Sequence, residues 1–191
     1  MVDRDLVIRA QHGDVEAFSV LTTARSRRLF TVARMIIRDD EAAADALQES
    51  LLRAWLDLRA LRDPDRFDAW LRKILIRACY GATNSRRSRG VVEIAMPSDW
   101  EPRADETGDA DSPSAIVLHD QLERAFQRLS PDQRAVVVLH HYLGLTLAEA
   151  ADSLGIPIGT TQSRLNRALS TLRAAVEADD RIPLLAAELT R

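Results

Sequence analysis

The stretch Leu143–Leu172, LGLTLAEAADSLGIPIGTTQSRLNRALSTL, constrains the fold of this chain more than any other. It predicts a short helix, a tight turn and a second helix. Thr146 followed by Glu149 has the spacing of a capping box, in which hydroxyl and carboxylate close free amides at a helix start. Leu147, Ala150, Ala151 and Leu154 then recur on one helical face. Gly155 stops that helix, because glycine enters the left-handed region without a Cβ penalty, and Pro157 discourages continuation. Gly159 or Thr160 opens the next helix, whose apolar side is Leu165, Leu169 and Leu172.

The polar side of that second helix carries the functional signal. Gln162, Ser163, Asn166 and Arg167 share one face at i, i+1, i+4 and i+5. Such side chains hydrogen-bond base edges in a major groove. Arg164 and Arg173 lie near enough to hold phosphates, which position a helix without reading sequence. Polar spacing alone would fit a solvated face; the turn chemistry and short first helix favour a helix-turn-helix that docks in DNA.

The 191 residues suffice for one domain or two small ones, and 46% are apolar while only 5% are aromatic. That balance suits small helical bundles of Leu, Ala, Ile and Val. No apolar run approaches the ~18 residues that span a bilayer, so no membrane insertion is expected. The acidic start MVDRDLVIRAQ is unlike a secretion signal. A single cysteine, Cys79, excludes an internal disulfide framework and falls on an apolar face. A cytoplasmic protein is expected.

The net charge of −3 is unevenly spread. Residues 1–90 hold 17 Lys+Arg against 13 Asp+Glu, whereas residues 91–117 hold 1 against 7. A basic first block followed by an acidic connector is compatible with a DNA-binder whose linker avoids DNA.

In the first block, Asp14 is a plausible N-cap for a helix to about Arg38, with Phe18, Leu21, Leu29, Val32, Ala33 and Ile36 as its apolar stripe. Asp39-Asp40-Glu41 breaks the pattern and favours a new helix start over about 41–58. There Ala46, Leu47, Leu51, Ala54, Trp55 and Leu58 face inward, and Asp45, Gln48, Glu49 and Arg53 outward. Arg59–Asp65 reads as a loop. A third helix follows to Ser88, with Phe67, Trp70, Leu71, Ile74, Leu75 and Ala78 inward and Arg66, Arg72, Lys73 and Arg77 exposed. A basic helix side near aromatics has the ingredients of a single-strand DNA surface. Periodicity alone places Trp55 and Trp70 in the core.

Residues 89–117 are rich in Pro, Asp, Glu, Ser and Gly and read as a flexible tether, with Trp100 its one large aromatic. Helical pattern resumes over 115–129. Ser130-Pro131-x-Gln133 caps a helix to Tyr142. His140 and His141 point about 100° apart on a helix, so they do not share a metal. No zinc spacing, phosphate loop or nucleophile motif occurs, so neither metal, cofactor nor enzymatic role is expected. The ADDRIP break precedes a short apolar helix pattern with Leu184, Leu185 and Leu189.

Two blocks together carry a family resemblance: DALQESLLRAWLDL with FDAWLRKILIRACY, and LSPDQRAVVVLHHYLGLTLAEAADSLGIPIGTTQSRLNRAL. They resemble regions two and four of the extracytoplasmic-function sigma factors, group 4 of the sigma-70 family. The resemblance implies an all-α chain of two small helical domains: 1–90 as region two, a flexible acidic linker at 91–114, 115–177 as region four, and a short tail at 178–191. It implies binding to core RNA polymerase, to promoter DNA and to an anti-sigma factor. Asp45, Gln48, Glu49 and Arg53 would meet the clamp helices of the largest subunit, and region four the flap. The minus-ten strand would fall to Arg59, Arg62, Asp63, Arg66, Trp70, Arg72, Lys73 and Arg77. The minus-thirty-five duplex would fall to Thr160, Gln162, Ser163, Arg164, Asn166 and Arg167. Two departures stand out: the family often has a basic residue at Gln162, and DALQE thins the usual acidic pair. The competing expectation is a stand-alone helix-turn-helix regulator that binds duplex DNA.

Overall fold

A helix needs its first free amides capped and one face buried, and this chain meets both conditions repeatedly. The computed structural model describes residues 4–88 and 121–189, so the expected linker at 91–114 and Trp100 lie outside the described residues. Helix α1 (Arg4–Gln11) turns at Gly13, whose φ of 98° favours glycine. Asp14 then caps α2 (Val15–Ile37), accepting from the Ala17 amide at 2.9 Å while Arg9 clamps the same carboxylate at 2.6 Å. Asp39 caps α3 (Asp40–Asp57) through the Ala42 amide at 2.7 Å. Two 3-10 turns, Leu58–Ala60 and Pro64–Arg66, fill most of the loop, and α4 (Phe67–Ser88) follows.

The stripes read from the sequence converge. Leu21, Ala54, Leu58, Phe67 and Leu71 form one buried cluster with Val7 and Ala10 of α1. Burying each such large side chain contributes roughly 1.5–3 kcal/mol relative to leaving it in water. Trp55 is half-buried against Phe18, ring centroids 5.1 Å apart, and Trp70 is half-buried against Phe67 at 6.1 Å.

In the second half, residues 121–127 form α5, and Ser130 opens α6 (Pro131–Val137) with both arms of its capping box made. The expected helix to Tyr142 changes its winding to a π turn over Val138–Tyr142, where the Leu143 amide reaches back to the Val138 carbonyl at 3.0 Å. Helix α7 (Leu147–Leu154) ends at Gly155 with φ 66°. Helix α8 (Ile158–Leu189) starts before Thr160, because the Pro157 carbonyl already accepts from the Thr160 and Thr161 amides. It also runs through the ADDRIP segment, where a break was expected. Charge alone does not end a helix.

The two halves share a core: Val32, Ala33, Ile36, Leu75 and Ile76 pack with Ala135, Val138, Leu139 and Ala150. Cys79 sits in that cluster, where burial pushes its thiol up to about 12, so it is an inert packed group.

Candidate nucleic-acid interface

The helix-turn-helix is built by local chemistry. The Thr146 amide donates to the Glu149 carboxylate at 2.9 Å, and the Glu149 amide donates to the Thr146 hydroxyl at 3.2 Å. The Thr146 hydroxyl and amide hold the Glu149 carboxyl below its ordinary range, with a smaller contribution from Arg72. His140 Nδ1 lies 2.7 Å from the Leu145 carbonyl and steadies the entry to α7. Leu165 and Ala168 of α8 pack on Leu129, Val136 and Val137. The opposite side is thereby forced outward.

Gln162, Ser163, Asn166 and Arg167 are all exposed there, and Thr160 is half-buried at its edge. The Arg167 Nε donates to the Ser163 carbonyl at 3.2 Å, which folds the guanidinium along the helix. Arg164 is less free: it pairs with Asp132 at 3.0 Å and ties α8 to the first turn of α6. Arg173 is exposed one turn and a half further along.

On α3, Asp45, Gln48, Glu49 and Arg53 are exposed together, and Arg53 pairs with Glu49 at 3.2 Å. Leu52 and Leu56 stand exposed beside them, 60% and 68% accessible, an apolar strip that the periodicity did not single out. Its spacing of i, i+4 outside the buried stripe was the available signal.

Between α3 and α4, Arg59, Arg62, Asp63 and Arg66 are exposed. The Asp63 carboxylate accepts from the Asp65 amide at 3.1 Å and lies 3.6 Å from Arg66, so it shapes the turn and restrains the cation. Gln11, unnoticed in the sequence, spans this loop from α1: its amide donates to the carbonyls of Leu58 at 3.1 Å and Leu61 at 2.7 Å.

The basic side of α4 departs from expectation. Arg77 is exposed, but Arg72 and Lys73 are partly covered by the second half. Lys73 Nζ lies 2.8 Å from Asp152 of α7. Arg72 Nε is buried without a hydrogen-bond partner among the described residues, and burial lowers its pKa. Periodicity placed both on the free side because it registers the packing of one helix only. Among the described residues no group of His, Cys, Asp and Glu has a metal-site arrangement, and no helix is long and apolar enough to cross a membrane.

Comparison with known proteins places these surfaces in context. Residues 21–89 match the family described as Sigma-70 region 2, and residues 119–172 match Sigma-70, region 4. The chain is 31% identical to the ECF RNA polymerase sigma factor SigM of Mycobacterium tuberculosis, over 89% of this chain and 82% of that protein. It is 30% identical to the RNA polymerase sigma-E factor of Streptomyces avermitilis, over 88% and 90%. Its fold is similar to the solved structure of CnrH in complex with the cytosolic domain of CnrY, with TM-score 0.64, 26% identity, and coverage of 94% and 99% of the two chains.

Proposed function

The chain belongs to the sigma-70 family of RNA polymerase sigma factors, in its extracytoplasmic-function group, and we propose that three exposed surfaces divide its work. The observation that carries this reading is the outward face of α8, where Gln162, Ser163, Asn166 and Arg167 are exposed on a capped helix-turn-helix. These four read the minus-thirty-five duplex, with Thr160 at the edge of the groove. Arg164 and Arg173 serve phosphates, Arg164 by exchanging Asp132 for DNA. Region two spans residues 1–90, region four 115–177, and 91–114 is the acidic linker between them; residues 178–191 are a short C-terminal tail, of which 178–189 continue α8.

Asp45, Gln48, Glu49 and Arg53 meet the clamp helices of the polymerase, and region four meets the flap. The exposed Leu52 and Leu56 support that assignment, because an apolar strip rimmed by charge suits a protein partner. Arg59, Arg62, Asp63, Arg66 and Trp70, with Arg72, Lys73 and Arg77, receive the unpaired minus-ten strand. Cations neutralise its phosphates and an aromatic edge accepts an unstacked base. Promoter melting then needs no bond-making by this chain: binding energy offsets the unstacking cost, and the polymerase supplies catalysis. Its place of action is the cytoplasm. CnrH was solved with the cytosolic domain of another protein, and a restraining partner of that kind, an anti-sigma factor, is proposed here.

Run-off transcription with bacterial core polymerase on a fragmented genomic template tests the reading. Discrete transcripts that need both core and this chain are expected, and their starts would define the promoter elements. Duplex binding without any binding to core would instead identify a stand-alone regulator.

A further inference from the structure

The outward face of α8 consists of two ridges of different chemistry. Gly159, Ser163 and Arg167 form one at four-residue spacing, and Ile158, Gln162 and Asn166 form the other. The first ridge is engaged with itself: the Arg167 Nε donates to the Ser163 carbonyl at 3.2 Å, and its Nη2 lies 3.5 Å from the Ser163 hydroxyl. On the second, neither Gln162 nor Asn166 has a side-chain partner among the described residues. All three of its members are exposed, Ile158 to 54%. An isolated apolar side chain on a surface is ordinary. This one heads the row that carries the two amides, in the first turn of the helix, the part that a docked recognition helix presents to base edges. No cation stands on the row before Arg173.

The chemistry of that row selects among base pairs. A primary amide offers one donor and one acceptor side by side, which fits the N6 amine and N7 of adenine. Guanine shows two acceptors there, N7 and O6, and the amide carbonyl is repelled by the second. Thymine adds a C5 methyl group in the same groove, which an apolar side chain covers, whereas cytosine has none. At about 1.5 Å per residue, Ile158 to Asn166 spans roughly 12 Å. That length matches roughly three or four base pairs at about 3.4 Å each.

We propose that Ile158, Gln162 and Asn166 form a reading row for adenine·thymine pairs: each amide takes one adenine by its N6 and N7 edge, and Ile158 covers a thymine methyl. The proposal rests on the assignment of α8 to the minus-thirty-five duplex and names the base pairs that this surface takes. A guanidinium in place of Gln162 would match guanine N7 and O6, and the amide that stands there turns the position to adenine.

The test uses core polymerase loaded with the full chain, and duplexes randomised over the upstream half of a promoter found by run-off transcription. Selection is expected to enrich a short block of adenine·thymine pairs. Groove shape also favours such pairs, so single atoms are then removed from the selected duplex. Deoxyuridine in place of one thymine should weaken binding roughly fourfold, the factor for one methyl group returned to water. 7-Deazaadenine in place of one adenine removes an acceptor and should weaken it roughly threefold to tenfold. Ile158→Ala should abolish the deoxyuridine effect and keep the deazaadenine effect, and Gln162→Ala should do the reverse at its own adenine. Gln162→Arg should select guanine at that position. Guanine selected there by the unaltered chain, or modified-base effects that are absent or that Ile158→Ala and Gln162→Ala leave unchanged, overturns the proposal while α8 keeps its place on the duplex. Selection identical for the unaltered chain and for Gln162→Ala with Asn166→Ala removes the assignment of α8 together with the proposal.

Discussion

Gln11 shows how much one side chain does for a loop that has little structure of its own. Its amide holds the carbonyls of Leu58 and Leu61, which bracket the turn ahead of Arg62 and Asp63. Gln11→Ala takes this donor from the Leu61 carbonyl and leaves the Leu58 carbonyl only the Leu61 amide, inside a half-buried contact, and costs about 1–3 kcal/mol of stability. The urea midpoint should fall accordingly, and permanganate reactivity of the minus-ten strand should drop while affinity for core polymerase stays. Reactivity unchanged despite the lower midpoint would confine Gln11 to stability. On α8, Asn166→Ala or Gln162→Ala should weaken duplex binding by roughly 1–3 kcal/mol at a single base position, measured by competition with substituted duplexes. Gln11 was illegible in the sequence because a polar residue at a helix end is ordinarily solvated. Arg134 left a faint trace: a cation directly before the run Ala135–Leu139, all of it buried. The acceptors that reach across the fold lie far off in sequence, Ile36 being 98 positions from Arg134.

The elements were readable to the extent that their causes are local. Both capping boxes, Ser130 with Gln133 and Thr146 with Glu149, stand as their spacing predicts, as do the Asp14 and Gly155 caps. The exposed set on α8 also follows from spacing, since Leu165 and Ala168 fix which side is buried. The π turn was not readable, because it comes from the need to carry the Leu143 amide back to Val138 as the chain bends toward α7. The Glu149 box makes a pH prediction. Its folded pKa lies below its unfolded one, so the box contributes stability above the unfolded carboxylate range and loses it as pH falls through the folded value. Protection factors of the amides at Leu147–Ala150, which remove the intrinsic slowing of exchange in acid, should therefore fall before global unfolding. Glu149→Gln keeps an acceptor at the same position and should make that local opening independent of pH over this range. A pH profile unchanged by the substitution would assign the effect to another carboxylate.

At the scale of the molecule, the decisive feature is that two helical units with their own apolar clusters also share a third. A chain with two separable cores would melt in two steps, whereas coupling through a shared core makes the steps one. Arg134 is the most buried tie across that boundary, and its guanidinium serves a carbonyl from each unit. Arg134→Leu fills similar space but leaves the Ile36 and Leu129 carbonyls without this donor, at about 1–3 kcal/mol for each one that water does not reach. That loss falls on the contact between units, while the cluster around Leu21 and Phe67 is untouched. Calorimetry should therefore resolve two transitions where the unaltered chain gives one, the region containing Phe67 melting last. One transition shifted downward as a whole would mean that the units do not fold apart.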